Sequence, residues 1–288
     1  MKVYISNYLS RSISVIDYDT LEVEDEITLE ENIYPNYFCI DKEKNLIYIP
    51  NSSSGMLYVL DLVSKKMVDT VSIGGSLTQI VLNVNELFVA NEDTDSIYIL
   101  DKNNLNPIGI IGVDSMPHGF DFDREVNKLY VPCISSIISI DTLQKSIYKK
   151  IELDFKAWHV KLDTQKKQVY VSTLDGRVVI LDTNTMDIIK ILDEFLLPIE
   201  MCFNYSQKKI YVTDLVCKNV KILDYVTGKY IESIYVEGSP QGLSISEDET
   251  LLFVSDIQKN SIKVYDTFTN NMIKEVYVGK EPTTIVCV

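Results

Sequence analysis

Hydrophobic and polar positions alternate in short runs along this chain, and one run keeps returning. An aromatic residue flanked by aliphatics stands at Tyr4, Tyr48, Phe88, Tyr130, Tyr170, Tyr211 and Phe253, at spacings of 44, 40, 42, 40, 41 and 42 residues. Each is followed, 11 to 13 residues on, by the end of an aliphatic run in aspartate: Asp17, Asp61, Asp101, Asp141, Asp182, Asp224 and Asp266. Two markers in phase through seven copies define an internal repeat of about 40 residues.

Each copy reads as four short strands. A first strand starts near proline, as at Pro117; the aromatic strand is second, and the strand closing on aspartate is third. An alternating strand such as 67–73 is fourth. The closing aspartate can accept hydrogen bonds from the amides just after it, which marks a turn. No stretch carries helical periodicity over ten or more residues. Four-stranded units of this length predict an all-β fold, a single seven-bladed β-propeller with four antiparallel strands per blade. The chain opens on a second strand, Lys2 to Asn7, and ends on a first strand, 282–288. The C-terminal strand is therefore expected to complete the N-terminal blade and close the ring, removing an open edge. Residues 1–288 are read as one domain.

Composition narrows the partners. Apolar residues make up 46% and charged residues 24%, a globular rather than disordered balance. No apolar run is long enough to cross a bilayer as a helix, and the N-terminus lacks the pattern of a secretory leader. Cys39, Cys133, Cys202, Cys217 and Cys287 are odd in number and form no CxxC pair, so neither disulfides nor zinc are expected. A cytoplasmic monomer follows. The formal charge of −15 is expected to repel nucleic acid and anionic membranes, leaving a protein, a peptide or a small molecule as partner.

The segments Tyr170-Val-Ser-Thr, Tyr211-Val-Thr-Asp and Phe88-Val-Ala-Asn each precede a strand ending in aspartate. With the later glycine and proline, as in Gly238-Ser-Pro240 and Gly279-Lys-Glu-Pro282, they resemble the YVTN-type β-propeller repeat over essentially the whole chain. The letters Y-V-T-N never occur intact, and the fourth and fifth copies lack the glycine. The resemblance implies the fold; propellers of this kind serve as binding scaffolds, surface proteins and occasionally enzymes.

In such propellers the first strand lines a central channel. Stacked by number, these strands start at Pro35, Leu77, Pro117, Ala157, Pro198, Pro240 and Pro282. The third and fifth residues after each start are apolar, Phe120, Val160 and Met201 among them, and period-two alternation assigns them to the packing between blades. The opposite phase is expected to face the channel. It carries Tyr37, Gln79, His159 and Glu200 at one level and Asp121 and Lys161 at the next, with Trp158 at the entry. His118, one position out of phase, is expected at the rim. These residues are the candidate ligand site.

No nucleophile elbow, zinc-protease helix, phosphate loop or dinucleotide fingerprint is present, and no catalytic or metal-ligating residue is assigned. A non-catalytic binding scaffold, working at the channel mouth and on an acidic loop face, is the leading expectation. Streptogramin lyases are similar in architecture and set histidine with acidic residues around a magnesium ion at the channel mouth. His159 and Glu200 match that loosely. A metal-dependent lyase or lactonase-like enzyme is thus the alternative, and a divalent cation at the mouth the only cofactor it would bring.

Overall fold

The computed structural model describes residues 1–288 as 28 strands in seven four-stranded antiparallel sheets, without helices. These are the blades of a seven-bladed β-propeller. The second to seventh blades span 39–72, 77–112, 121–152, 157–192, 198–235 and 240–277. The first blade joins the two ends of the chain. Strand Pro282–Cys287 pairs with Lys2–Asn7 through Val3 with Cys287, Tyr4 with Val286 and Ile5 with Ile285, and strands Ser12–Asp17 and Glu22–Thr28 complete the sheet. No helix is long and apolar enough to cross a membrane, and all five cysteines are free thiols.

The chain divides into two compact units. One joins Met1–Asn36 to Glu194–Val288 and holds the first, sixth and seventh blades; the other, Tyr37–Asp193, holds the second to fifth. Inside each unit the core lies between neighbouring blades. In the four-blade unit Phe120, Phe122, Leu129 and Ile138 of the fourth blade pack on Phe88, Ile97 and Ile99 of the third. Val160, Val169 and Val179 of the fifth pack on Tyr130 and Ile137 of the fourth. In the three-blade unit, Phe253, Ile262 and Val264 pack on Val3, Ile5 and Ile16. A blade buried on both faces needs near-continuous apolar strands, which is why each aromatic sits between aliphatics.

The repeated aspartate builds the turn before each outer strand. Asp182 Oδ1 accepts the amides of Asn184 and Thr185, both at 2.8 Å, and these bonds hold its carboxyl below the usual carboxylate range. Four residues past the aspartate the backbone takes positive φ in every blade, at Leu21, Lys65, Leu105, Lys145, Met186, Gly228 and Asn270. The outer pairing then slips by a bulge, as between Ile180 and Leu181.

At the other end of the blades, the last residue of the second strand ties down the loop entering the first strand. Asp214 accepts the amides of Leu196 (2.9 Å), Leu197 (3.1 Å) and Cys217 (3.1 Å). Asp256 accepts those of Ser239 (3.0 Å), Gln258 and Lys259 (both 3.1 Å). A Cβ on Gly238 would collide with the Asp256 carboxylate, which explains the glycine of the repeat where it occurs.

Two first strands begin later than the proline register predicts, at Cys39–Asp41 and Asp121–Asp123 rather than at Pro35 and Pro117. In the fourth blade the reason is local. Segment 117–120 turns toward the fifth blade, and that detour builds the site described next.

Candidate functional site

The detour rests on three backbone contacts. His118 donates its amide to the Pro132 carbonyl (3.1 Å), Gly119 forms a parallel bridge with His159, and the Val160 amide donates to the Gly119 carbonyl (2.6 Å). A Cβ at Gly119 would lie 2.6 Å from Cγ of His159. Only glycine lets the imidazole lie against this backbone. Just beyond, Asp121 fastens the two strands together. Its Oδ2 accepts the Leu162 amide (3.0 Å) and its Oδ1 the Phe122 amide (2.8 Å).

Four rings converge beside this bridge. His118 stacks on Trp158 with centroids 3.7 Å apart and planes at 22°. Tyr37 stands edge-on to both imidazoles, 5.7 Å from His118 and 6.1 Å from His159. Both histidines are buried. Burial, and then the neighbouring His159, push the His118 pKa down to about 3, against a hydrogen bond with the Trp158 backbone that pulls the other way. Nδ1 of His118 is buried without a hydrogen-bond partner. Its Nε2 lies 3.8 Å from Glu92 Oε1, too far for a hydrogen bond. Burial, and then the nearby Asp93, push the Glu92 pKa up. The result is a neutral imidazole beside a carboxylate held above its ordinary range.

The residues expected to line one wall take different places. Tyr37, Trp158 and His159 gather in the ring cluster. Asp121 bridges two blades, and Gln79 Nε2 donates to the Phe120 carbonyl at 3.4 Å. Lys161 is half-buried, opposite Tyr170 in the sheet. Glu200 lies in the three-blade unit, where its amide donates to Thr213 Oγ1 (3.0 Å) and its Oε1 accepts the Met201 amide (3.0 Å). Glu200 is half-buried and Met201 fully buried. Trp158 covers the neighbouring blade through His118 rather than standing alone. His118, expected at the rim, is buried: its amide stays bonded to Pro132 of its own blade while its ring stacks on Trp158 of the next.

Sequence reasoning missed His118 and Glu92 as neighbours. The available signal was the Pro117-His-Gly119 step, a glycine facing a histidine at the same level of the next repeat. His159 is walled by Gly119 and Tyr37, and Glu200 Oε1 accepts the Met201 amide.

Around the cluster, the four-blade unit's loops are acidic. Segments 52–55, 73–76, 92–95, 113–120, 134–135, 153–156 and 174–177 carry six acidic residues against two basic ones. Some carboxylates shape the loops: Asp95 Oδ1 accepts the Met116 amide (3.0 Å), Asp114 pairs with Lys150 (2.7 Å), and Asp175 accepts the Lys156 amide. Asp93 and Asp154 are exposed, and Glu92 is half-buried.

No protein-family model and no curated protein sequence matches the chain. Solved structures do. A functionally unknown protein from Desulfotomaculum acetoxidans superposes with a TM-score of 0.83 at 13% identity, over 99% of this chain and 98% of that one. Apo AztD from Citrobacter koseri gives 0.73 at 13%, over 99% and 96%. Kuenenia stuttgartiensis hydrazine synthase gives 0.77 at 15%, over 91% and 92%. At such identities the likeness is one of fold, and the fold is the β-propeller.

Proposed function

We propose that this protein is a non-catalytic recognition scaffold whose binding surface is the acidic loop side of the four-blade unit, and that it takes a basic segment of a protein or peptide there. The observation that carries this reading is the six-to-two excess of acidic over basic residues in those loops. Two of these carboxylates, Asp95 and Asp175, are fixed by backbone amides, so part of the field is held in place before a ligand arrives. The ring cluster of Tyr37, His118 and Trp158 gives the surface a rigid aromatic floor next to Glu92. Assignment to the YVTN-type repeat belongs to the same reading. It is supported by Asn7, Asn51, Asn91, Asp214 and Asp256, which end second strands where that repeat has its polar fourth letter. A cytoplasmic monomer accords with the five free thiols.

Titration calorimetry with an oligolysine peptide tests the reading. Binding is expected, weakening as salt rises. Replacing Glu92 with Gln, Asp93 with Asn and Asp154 with Asn together should weaken it by about tenfold, equivalent to roughly 1.4 kcal/mol. Equal binding by the triple variant, or no binding at low salt, would show that this surface is not the recognition face.

A further inference from the structure

Among the carboxyls moved from their ordinary range, Glu92 stands apart. Burial pushes Asp41, Asp114, Asp214 and Asp256 upward, yet lysines, serine or backbone amides bond to each and hold it low. Glu92 is the one displaced carboxyl that ends up raised, by burial and then by Asp93, with no cation or donor to oppose them. Its side chain is 22% exposed. Neither of its carboxylate oxygens accepts a hydrogen bond, and no lysine or arginine reaches it. Arg177, a base of the same loop side, is engaged elsewhere, pairing with Asp193 (3.2 Å) and lying over the Phe155 ring (5.4 Å). A carboxylate this far out of water without a bonded partner is costly to the fold.

The position of Glu92 is nonetheless fixed. It directly follows strand Glu86–Asn91, and its amide donates to the Ser76 carbonyl (2.9 Å). Facing it is His118, whose side chain is 7% exposed, with Nε2 3.8 Å from Glu92 Oε1 and Nδ1 without a hydrogen-bond partner. With its pKa near 3 this imidazole is neutral, so it neither supplies the missing counter-charge nor repels a cation that does. Trp158 stacks behind the imidazole and Tyr37 stands at its edge. The site is thus a half-buried carboxylate with both oxygens unused, walled on one side by an uncharged ring.

We propose that Glu92 is the specificity-determining residue of the recognition face and takes the guanidinium of one arginine in the bound segment, an assignment that rests on the basic-segment reading above. Two unused oxygens suit the paired N–H groups of a guanidinium fork. The guanidinium is also more weakly hydrated than an ammonium and lies flat against rings, so it loses less on entering a site walled by His118. Asp93 and Asp154 are exposed, and pairs formed there are screened by water and discriminate little between bases.

Trp158 is the chain's single tryptophan, and its stacking on the imidazole that faces Glu92 makes it a reporter of the site. Its emission is titrated with N-acetylarginine amide, and with N-acetyllysine amide as a probe of equal charge. A saturable change is expected with the arginine probe, at severalfold lower concentration than with the lysine probe. Glu92→Gln should weaken the arginine response severalfold without lowering the melting temperature, because it removes a half-buried charge that has no partner. Asp187→Asn, exposed just before strand Ile188–Leu192, removes the same charge elsewhere and should respond like the parent. Equal response of the parent to the two probes, no response to either, or an undiminished arginine response in Glu92→Gln would overturn the proposal. Calorimetry with oligolysine separates this failure from that of the recognition face. Oligolysine binding without an arginine preference would sink the Glu92 assignment alone, and an arginine response without oligolysine binding would sink the wider face alone.

Discussion

Two buried aspartates at equivalent places show how one charge can be needed and another not. Asp41 pairs with Lys102 at 2.9 Å, both nearly inaccessible. Burial alone would raise the Asp41 pKa, but Lys102 and the amides of Lys44 and Glu43 outweigh it and hold the carboxyl below its ordinary range. Asp41→Asn would leave Lys102 buried without a counter-charge, at an expected cost of about 3 to 5 kcal/mol. Asp163 is as deeply buried; its Oδ1 accepts the Lys166 amide (3.2 Å) and its Oδ2 has no hydrogen-bond partner. Asp163→Asn keeps the used oxygen and removes a buried charge, so its stability should stay within about 1 kcal/mol of the parent. Chemical denaturation of the two variants checks the contrast. His118 supplies a pH signal of its own. Its folded-state pKa of about 3 lies below the ordinary histidine value. Between those values the unfolded chain takes up a proton that the folded protein refuses, so stability falls as pH drops from about 6.5 toward 3. At pH 5 the loss is about 2 kcal/mol. The lowered carboxylates act only further into acid. Melting curves at pH 7 and pH 5 should therefore converge in His118→Phe, and an unchanged gap would show that His118 is not the sensor.

At the scale of single strands, the alternation of apolar and polar positions was legible in part. Met201 and Phe120 are fully buried, and Glu200 and Asp121 are half-exposed, whereas His159 and Cys202, of the phase expected to face the channel, are buried too, so period-two burial of one face holds for some strands only. Met201→Ala should cost about 2 to 5 kcal/mol, while Glu200→Gln should cost little, its Oε1 contact to the Met201 amide being retained. Where the strands begin was less legible, because segment 117–120 takes its geometry from a neighbouring blade. The ring cluster depends on that choice and on a glycine 40 residues before the histidine it accommodates, a relation that one strand's pattern does not contain. The same geometry changes what His159→Ala means. A side chain packed against Gly119 and Tyr37 leaves a cavity when truncated, so the variant should melt earlier rather than fold normally. Gly119→Ala should be worse, since the added methyl meets the imidazole itself; a melting temperature equal to that of the parent would show that the bridge can open at no cost.

At the scale of the molecule, the first blade binds the two ends of the chain into one sheet, and its bonds are dense. The Lys2 amide donates to the Val288 carbonyl (2.7 Å) and the Val288 amide returns a bond to the Lys2 carbonyl (2.9 Å). Further along, the Thr284 amide donates to Ser6 Oγ (2.9 Å), and Thr283 Oγ1 and Thr284 Oγ1 both donate to the Asn36 carbonyl, at 2.9 and 2.7 Å. Behind these bonds Val3, Ile5 and Ile285 join Phe253 and Ile262 in one apolar layer. Removing residues 282–288 would therefore do two things at once. It would strip the partner from strand Lys2–Asn7, whose residues from Val3 to Asn7 are all buried, and it would uncover the apolar layer shared with the seventh blade. An unpaired apolar edge is a template for another chain. The truncated protein should melt well below the parent and associate as concentration rises, read by scanning calorimetry and light scattering. Supplying the missing strand as a free peptide of residues 282–288 should restore part of the melting temperature, because it binds the folded blade and not the unfolded chain. A truncated protein that stays monomeric with an unchanged melting temperature would show that the terminal strand decorates the first blade and does not complete it.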